Sequence, residues 1–204
     1  MNNHPAQDPP HEPIGPVTCA VLLAAGEGSR FIGSSHKLVA LLHGRPVYSW
    51  ALDSLRAAEF RHVVVVTGSV DLELPNWVLG VHNPNWASGQ ASSLQCGIAA
   101  ARDLGATAVV IGLADQPFVT AQAWTAVARA TSPIAVATYR GNRGHPVRLD
   151  RSVWQELATE GDQGARSLMA IHPEIVGEVA CEGSAADIDT MEDLQQWNSS
   201  TNLL

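Results

Sequence analysis

Arginine greatly outnumbers lysine in this sequence: of the twelve basic residues, eleven are arginines and one, Lys37, is a lysine. Lys37 closely follows a segment rich in small residues, 23–33 (LAAGEGSRFIG), which contains Arg30. Small residues allow backbone N–H groups to approach phosphate oxygens closely, and the two cations would offset phosphate charge. The segment therefore has the composition of a cradle for the phosphates of a nucleotide.

Two familiar phosphate-binding motifs match this segment only in part. A dinucleotide fingerprint has the pattern GxGxxG, but Phe31 stands where the third glycine belongs. A Walker A loop ends in Gly-Lys followed by Ser or Thr, whereas Lys37 is followed by Leu38. Because Gly26 and Gly28 satisfy the first half of the fingerprint, an NAD(P)-binding oxidoreductase stays open as an alternative.

Carboxylates elsewhere in the sequence suggest a cation site. Asp115 follows the apolar run 108–114, and Asp187 and Asp189 alternate around an isoleucine, so an extended backbone would direct both to one face. Hard cations such as Mg²⁺ take carboxylate oxygens together with nucleotide phosphates. The alternative is structural: Asp115 would cap a turn, and the later acidic residues would favour a helix N-terminus.

Five parts of the chain, in family order, resemble the MobA-like nucleotidyltransferases. They are residues 23–38, 82–94, 108–117, 139–146 together with 161–166, and 186–193, so that the resemblance spans about residues 17–197. Three positions depart from the family pattern: Gln90 replaces a methionine, Ala114 replaces the glycine of GDQP, and Met191 replaces a proline.

The resemblance implies that the first segment binds a nucleoside triphosphate and that Asp115 and Asp189 bind Mg²⁺. It implies catalytic roles for Arg30, Lys37 and Asp115. The nucleotide-binding residues that it implies are Leu23, Ala24, Ala25, Gly26, Gly28, Ser29, Arg30, Lys37, Ser92 and Ser93. The two serines alternatively belong only to the N-terminus of a helix, since hydroxyls are common there.

The remaining basic residues resemble the acceptor site of the family branch that includes molybdenum cofactor cytidylyltransferase. On this resemblance Arg140, Arg143, His145 and Arg166 hold the phosphate of a molybdopterin-type acceptor, the alternative being solvated surface arginines. The sequence LAAG at 23–26, rather than LAGG, is similar to the CTP-using branch. We therefore expect transfer of CMP from CTP to the phosphate of molybdopterin or its metal-loaded form, with release of pyrophosphate.

Three other functions remain open beside this expectation. A GTP-dependent guanylyltransferase of the same family would use the same loop, an oxidoreductase would hold NAD(P) there, and a non-catalytic carrier would bind the molybdenum cofactor without chemistry. A transient contact with a molybdoenzyme or its chaperone is expected for a protein that delivers this cofactor.

Apolar runs alternate along the chain with segments of helical spacing. The strands and helices that they predict would position the candidate site residues. The pattern predicts strands at 18–23, 63–66, 78–81, 108–113 and 134–137, and helices at 47–58, 92–104, 120–130, 153–158, 165–171 and 191–197. Helix starts are expected at Thr120, Asp150 and Thr190, the last with Asp193 in a capping-box-like pair. Runs that are apolar at every position indicate strands covered on both faces. The predicted fold is α/β and Rossmann-like, with a mainly parallel sheet and helices on both faces.

Composition limits the partners and the compartment. The chain has 204 residues, 46% of them hydrophobic, and a net charge of −8, which disfavours nucleic acid. No apolar run reaches the roughly 18 residues of a membrane span, and three cysteines without a CxxC favour a reducing compartment. We expect a soluble, cytoplasmic protein with a disordered Pro-rich arm at 1–16, one domain at 17–197 and a flexible tail at 198–204.

Overall fold

A computed structural model describes residues 17–33 and 35–200. The predicted arm and the last four residues of the predicted tail lie outside the described residues. The strands are β1 (Thr18–Ala24), β2 (Leu41–Leu42), β3 (Arg45–Pro46), β4 (His62–Thr67), β5 (Leu79–His82), β6 (Ala108–Leu113), β7 (Ile134–Tyr139), β8 (Asn142–Asp150) and β9 (Val176–Ala180). The α-helices are α1 (Val47–Ala57), α2 (Gln90–Asp103), α3 (Ala121–Ala128), α4 (Arg166–Ile171) and α5 (Met191–Ser199), and short 3₁₀ helices cover Trp86–Ser88, Arg151–Glu156 and Pro173–Ile175.

Seven strands form one sheet in the order β5-β4-β1-β6-β8-β7-β9, while β2 and β3 form a separate antiparallel pair. Strand β1 is parallel to both β4 and β6, β4 is parallel to β5, and β7 is parallel to β9. Among the described strands of this sheet, β8 alone runs antiparallel to its neighbours. The predicted α/β fold with a mainly parallel sheet is confirmed.

Alternate residues of the central strands enter different cores. In β1, Val21 packs with α2 on one face of the sheet, and Leu22 packs with α1 and α3 on the other. Both side chains are completely buried. Because each face is covered by helices, every position of such a strand loses its contact with water, which explains the unbroken apolar runs.

Strands β8 and β9 were not predicted, and the reason is clearest in β8. This strand contains Gly144 and Pro146 and no apolar run at its start, although it lies between β6 and β7. The pairing with β7 shifts register after Val136, which pairs with Val147, whereas the next residue of β7 pairs with Gly144. The shift leaves Pro146, which has no N–H to donate, outside the ladder.

Several predicted boundaries need correction. Helix α2 begins at Gln90 rather than Ser92, and the helix predicted at 153–158 is a 3₁₀ helix, Arg151–Glu156. Helix α5 continues to Ser199, because the side chain of Asn198 accepts from the N–H of His43 at 2.7 Å and donates to the Leu41 carbonyl at 3.1 Å. The first two residues of the predicted tail are therefore helical.

The predicted helix starts at Thr120, Asp150 and Thr190 are confirmed, since each side chain accepts a hydrogen bond from a backbone N–H of the first turn. Across residues 17–33 and 35–200, no helix has both the length and the apolar character that crossing a membrane requires.

Candidate active site

The loop after β1 and Asp115 emerge next to each other because their strands are parallel neighbours. Leu23 pairs with Leu113, and the N–H of Ala114 donates to the Leu23 carbonyl at 3.0 Å. Ligands of open α/β sheets bind at this carboxyl edge. The loop and the aspartate are thus delivered to one place by strand pairing alone.

Asp189 is brought to the same edge from near the end of the chain. The N–H of Ile188 donates to the Asp115 carbonyl at 2.9 Å, and the Ile188 side chain is completely buried in a third apolar cluster with Phe31 and Leu194. This buried side chain anchors the segment, so that the carboxylates on either side of it face the site.

Four charged groups meet at this edge. The ammonium of Lys37 donates to Asp115 Oδ2 at 2.6 Å and to Asp189 Oδ1 at 2.7 Å. Arg30 Nη2 lies 2.9 Å from Asp189 Oδ2. We call these four residues the charged cluster. The structure therefore brings together the two cations and the two carboxylates that the sequence singled out.

Most of the charged cluster is shielded from water. The side chains of Lys37, Asp115 and Asp189 are 11%, 16% and 19% exposed, whereas Arg30 is 74% exposed. Burial lowers the pKa of Lys37, but the charges and hydrogen bonds of the two aspartates outweigh it, so the pKa is raised and the ammonium keeps its proton. Asp115 Oδ1 is buried and has no hydrogen-bond partner among the described residues.

A third carboxylate, Asp187, borders the charged cluster. Its Oδ1 accepts from Gln116 Nε2 at 2.7 Å, and the same Nε2 donates to the Ala185 carbonyl at 3.1 Å. Burial, followed by the charge of Asp115, raises the pKa of Asp187. Asp187 therefore does not share the ion pairs that hold Asp189.

Two residues that the sequence reasoning missed hold the loop. The carbonyl of Gly26 accepts from Ser69 Oγ at 2.7 Å and from His36 Nε2 at 3.0 Å. His36 Nδ1 accepts from the N–H of Leu38 at 3.2 Å, which leaves the proton on Nε2. Since Ser69 follows β4, the neighbour of β1, the rule that strand ends carry sites would have indicated it. No spacing signal pointed to His36.

The loop encloses a cavity of about 530 Å³, which we call the loop cavity. Of the predicted nucleotide-binding residues, it is lined by Leu23, Ala24, Ala25, Gly26, Gly28, Ser29, Lys37 and Ser93. Arg30 lies outside its lining, and so does Ser92. Most of the predicted set is therefore gathered around one space.

Ser92 and Ser93 have different surroundings although both interact with Asn83. Asn83 is 3% exposed, and its Nδ2 donates to Ser92 Oγ at 2.9 Å and to Ser93 Oγ at 3.0 Å. Ser92 Oγ also donates to the Gly89 carbonyl at 2.9 Å. The hydroxyl of Ser92 is thus engaged in holding the turn before α2, and that of Ser93 borders the loop cavity.

A second cavity of about 440 Å³ adjoins the first, and we call it the sheet cavity. Leu23 and Gln90 line both cavities. The apolar part of the sheet cavity comes from Leu94, Ile111, Val136, Val147 and Met169, and its polar part includes Gln116, Arg143, His145, Gln163, Arg166 and Asp187. An apolar space with a few charged groups is typical of a small-molecule site.

The four predicted acceptor residues do not all meet in the sheet cavity. His145 and Arg166 line it, and Arg143 borders it while its Nε donates to Glu178 Oε1 at 2.8 Å. Arg140 lies in the β7–β8 turn with a φ of 52° and borders a different cavity, beside Trp197. Arg143 borders that cavity as well, so it lies between Arg140 and the other two residues, and the four-residue acceptor site stays a prediction.

His145 is electrically neutral in the sheet cavity. Burial, with a smaller effect from the charge of Arg166, lowers the pKa of His145 to about 4. The positive charge of this cavity near neutral pH therefore comes from its arginines.

A family model for the MobA-like NTP transferase domain matches residues 20–176. The chain belongs to the MobA-like NTP transferase family. The resemblance seen in the sequence is thereby confirmed, and this MobA-like chain is a nucleotidyltransferase-type protein.

Relatives support the assignment over different lengths. The purine catabolism protein PucB of Bacillus subtilis is 30% identical over 196 residues, covering 87% of this MobA-like chain and 94% of PucB. The bifunctional protein GlmU of Zymomonas mobilis is 42% identical over 74 residues, which are 36% of this chain but only 16% of GlmU. The similarity to GlmU thus concerns one segment, and the similarity to PucB nearly the whole protein.

Solved structures share the fold. Rv0371c of Mycobacterium tuberculosis has a TM-score of 0.76 and 26% identity, with 91% of this chain and 99% of that chain covered. A structure of Rv0371c in complex with manganese has a TM-score of 0.72 and covers 90% of this chain and 99% of that one. Divalent metal binding is thus found in a structural neighbour of this MobA-like chain.

Proposed function

We propose that this protein transfers CMP from CTP to the phosphate of a molybdopterin-type acceptor and releases pyrophosphate. The observation that carries the proposal is that two members of the charged cluster, Lys37 and Asp115, line the loop cavity, which adjoins the sheet cavity. Asp115 lines the loop cavity, and its neighbour Gln116 lines the sheet cavity. A triphosphate in the first cavity and an acceptor in the second would have their reacting groups next to the cluster.

The charged cluster fits a divalent cation such as Mg²⁺. Among residues 17–33 and 35–200, no group of three or more His, Cys, Asp or Glu side chains could hold a metal ion. Two carboxylates do suffice for Mg²⁺ when phosphate oxygens supply further ligands. The unpartnered, buried Oδ1 of Asp115 supports this fit, since such an atom otherwise costs stability. Asp115 and Asp189 would hold the ion, which when bound neutralises phosphate charge and orients the triphosphate.

The residues of this chain bind and orient the reactants. Loop N–H groups, Lys37 and Arg30 would hold the phosphates and offset the negative charge that builds up during transfer. Ser69 and His36 fix the Gly26 carbonyl. An anionic oxygen of the acceptor phosphate forms the new bond to the α-phosphorus, and the bond from that phosphorus to the bridging oxygen breaks, so that pyrophosphate leaves. The nucleophile is already ionised, so no general base is required.

The residues that line the two cavities support the choice of substrates. Ala25 is 3% exposed and is among the residues that line the loop cavity. It belongs to the LAAG sequence at 23–26, whose resemblance to the CTP-using branch implies a pyrimidine. In the sheet cavity, Arg166 would bind the acceptor phosphate while apolar side chains such as Met169 contact its ring system.

Pyrophosphate release with each of the four ribonucleoside triphosphates, with and without molybdopterin and in the presence of Mg²⁺, tests the proposal. We expect release with CTP and only when molybdopterin is present. Release with GTP would indicate a guanylyltransferase instead. Cofactor binding without release from any triphosphate would indicate a carrier, and protection from unfolding by NADPH without metal would indicate a dinucleotide-binding protein. For the dinucleotide alternative, the buried Phe31 at the third glycine position is unfavourable.

A further inference from the structure

Lys37 occupies a position between the two carboxylates of the charged cluster. Its single ammonium contacts Asp115 at 2.6 Å and Asp189 at 2.7 Å, so it already supplies a positive charge to both. Of these two carboxylates, Arg30 contacts that of Asp189. A cation that binds both carboxylates through these oxygens must take the place of the ammonium.

The charges of the cluster are balanced in this arrangement. Lys37 and Arg30 offset the charges of Asp115 and Asp189, and all of these side chains except that of Arg30 are largely buried. A bare divalent ion added to the balanced cluster would create an excess of positive charge at low exposure, which is unfavourable. An ion that arrives with a triphosphate brings its own negative charge, and the phosphates also offer Lys37 a new partner.

Lys37 has a path from the carboxylates to the phosphates. Its side chain runs along Gly28: a Cβ built on that glycine would lie 3.1 Å from Lys37 Cγ and 3.4 Å from Cδ. Lys37 also lines the loop cavity together with Ser29. Rotation about the terminal bonds of a flexible lysine side chain would therefore move the ammonium towards the loop N–H groups without moving the backbone.

We infer that Lys37 is the resident cation of the Asp115–Asp189 pair in the nucleotide-free protein, and that it makes divalent cation binding depend on the nucleotide. The ammonium keeps the two carboxylates together and excludes a free divalent ion. When a triphosphate binds, the ammonium moves from the carboxylates to the phosphates, and the divalent ion that accompanies the triphosphate binds to Asp115 and Asp189 in its place. This inference rests on the proposed cation site, and it adds to the proposed contact of Lys37 with the phosphates an effect on cation binding that is seen before any chemistry.

Titration of the full chain with Mn²⁺, with free Mn²⁺ followed by electron paramagnetic resonance, tests the inference without measuring activity. The titration is made with and without a CTP analogue whose α–β bridging oxygen is replaced by methylene. We expect the analogue to tighten Mn²⁺ binding to the wild type by at least about tenfold, within the usual range of coupling between sites. Lys37→Met should bind Mn²⁺ alone at least about tenfold more tightly than the wild type, with weaker coupling to the analogue.

Two variants serve as controls. Arg30→Met removes a cation of the same cluster that does not lie between the carboxylates, so without the analogue it should change Mn²⁺ binding by less than about threefold, as expected for an exposed ion pair. Asp115→Asn should abolish the tight binding that the analogue induces. If Lys37→Met does not fold, Lys37→Gln, which also removes the charge but remains polar, takes its place.

The outcomes separate this inference from the proposed function. If neutral variants at Lys37 bind Mn²⁺ no more tightly than the wild type, while Asp115→Asn still abolishes binding, the inference is wrong and the cation site stands. If Asp115→Asn binds Mn²⁺ as the wild type does in the presence of the analogue, the cation site itself is wrong and the inference falls with it.

Discussion

The indole of Trp124 lies directly against the backbone of Gly112. A Cβ built on Gly112 would lie 2.5 Å from Cη2 and 2.6 Å from Cζ2 of that ring. Trp124 is 1% exposed on α3, and Gly112 is in β6, just before Asp115. Close packing of this helix on the sheet thus fixes the strand that delivers a carboxylate to the charged cluster.

The first prediction concerns this contact. Gly112→Ala should lower the free energy of unfolding by about 1–3 kcal/mol, because neither a large buried ring nor a central strand can move cheaply to make room. Urea unfolding followed by tryptophan fluorescence measures the change. Gly26→Ala is the matched control: nothing lies within 4 Å of its added Cβ, so its stability should change by less than about 0.5 kcal/mol. Equal losses in the two variants would contradict the packing argument.

The second prediction concerns turnover. Lys37→Ala should reduce the rate of pyrophosphate release about a hundredfold or more, since a preorganised charge that stabilises the transferring group is lost. Steady-state assays at saturating CTP and acceptor measure it. Arg61→Ala, which removes an exposed cation elsewhere, should leave the rate unchanged. An unaltered rate in Lys37→Ala would remove Lys37 from the mechanism.

The sequence was sufficient for the parts of the fold in which local pattern and burial agree. The run 63–66 is apolar throughout because β4 is covered on both faces, and its prediction as a buried strand is confirmed. Strand β8 is equally central, but Gly144 and Pro146 interrupt its pattern, and only pairing with β6 and β7 makes it a strand. Contacts between residues that are distant in sequence therefore determine that this segment forms a strand.

The same distinction applies to the site. Resemblance singled out Lys37 and Asp189, but their contact joins positions 152 residues apart and depends on how the buried Ile188 anchors the last segment. Arg140 was grouped with the acceptor residues because it is close in sequence, yet its left-handed φ of 52° belongs to a tight turn that places it beside another cavity. Turn geometry of this kind is not encoded in spacing.

The third prediction is a pH dependence of stability. The pKa of His145 is about 4 in the folded protein and near 6.5 in an unfolded chain. Between these values the unfolded chain binds a proton that the folded protein does not, so stability must fall as the pH is lowered through this window, by up to about 1.4 kcal/mol per pH unit. Well above pH 6.5 neither the folded nor the unfolded protein binds this proton, so His145 does not lower the stability there.

Urea unfolding at pH 7, 6 and 5 checks this prediction by comparing wild type with His145→Gln. The variant should lose less stability than the wild type between pH 7 and pH 5, because it has no imidazole to protonate. His82→Gln, at an exposed histidine, should follow the wild-type curve. Parallel curves for wild type and His145→Gln would show that His145 is protonated as easily in the folded protein as in the unfolded chain.

The fourth prediction links a helix cap to the cation site. Thr190 Oγ1 accepts from the N–H of Asp193 at 3.1 Å, and Asp193 Oδ2 accepts from the N–H groups of Thr190 at 2.9 Å and Asp189 at 3.1 Å. The cap of α5 therefore also holds the backbone of a proposed ion-binding residue. Hydrogen bonding lowers the pKa of Asp193, with the side chain of Thr190 the largest effect and the backbone N–H groups of Asp189 and Thr190 smaller ones, so this carboxylate remains an acceptor at neutral pH.

Thr190→Ala should cost about 1 kcal/mol of stability, as loss of an N-cap usually does, and should also weaken Mn²⁺ binding in the presence of the CTP analogue, because Asp189 becomes less well positioned. Thr190→Ser keeps an accepting hydroxyl and should restore both properties. Urea unfolding and the Mn²⁺ titration measure them on the same samples. If Thr190→Ala loses stability while its Mn²⁺ affinity is unchanged, the cap stabilises α5 alone and Asp189 is held by Lys37, Arg30 and the buried Ile188 without it.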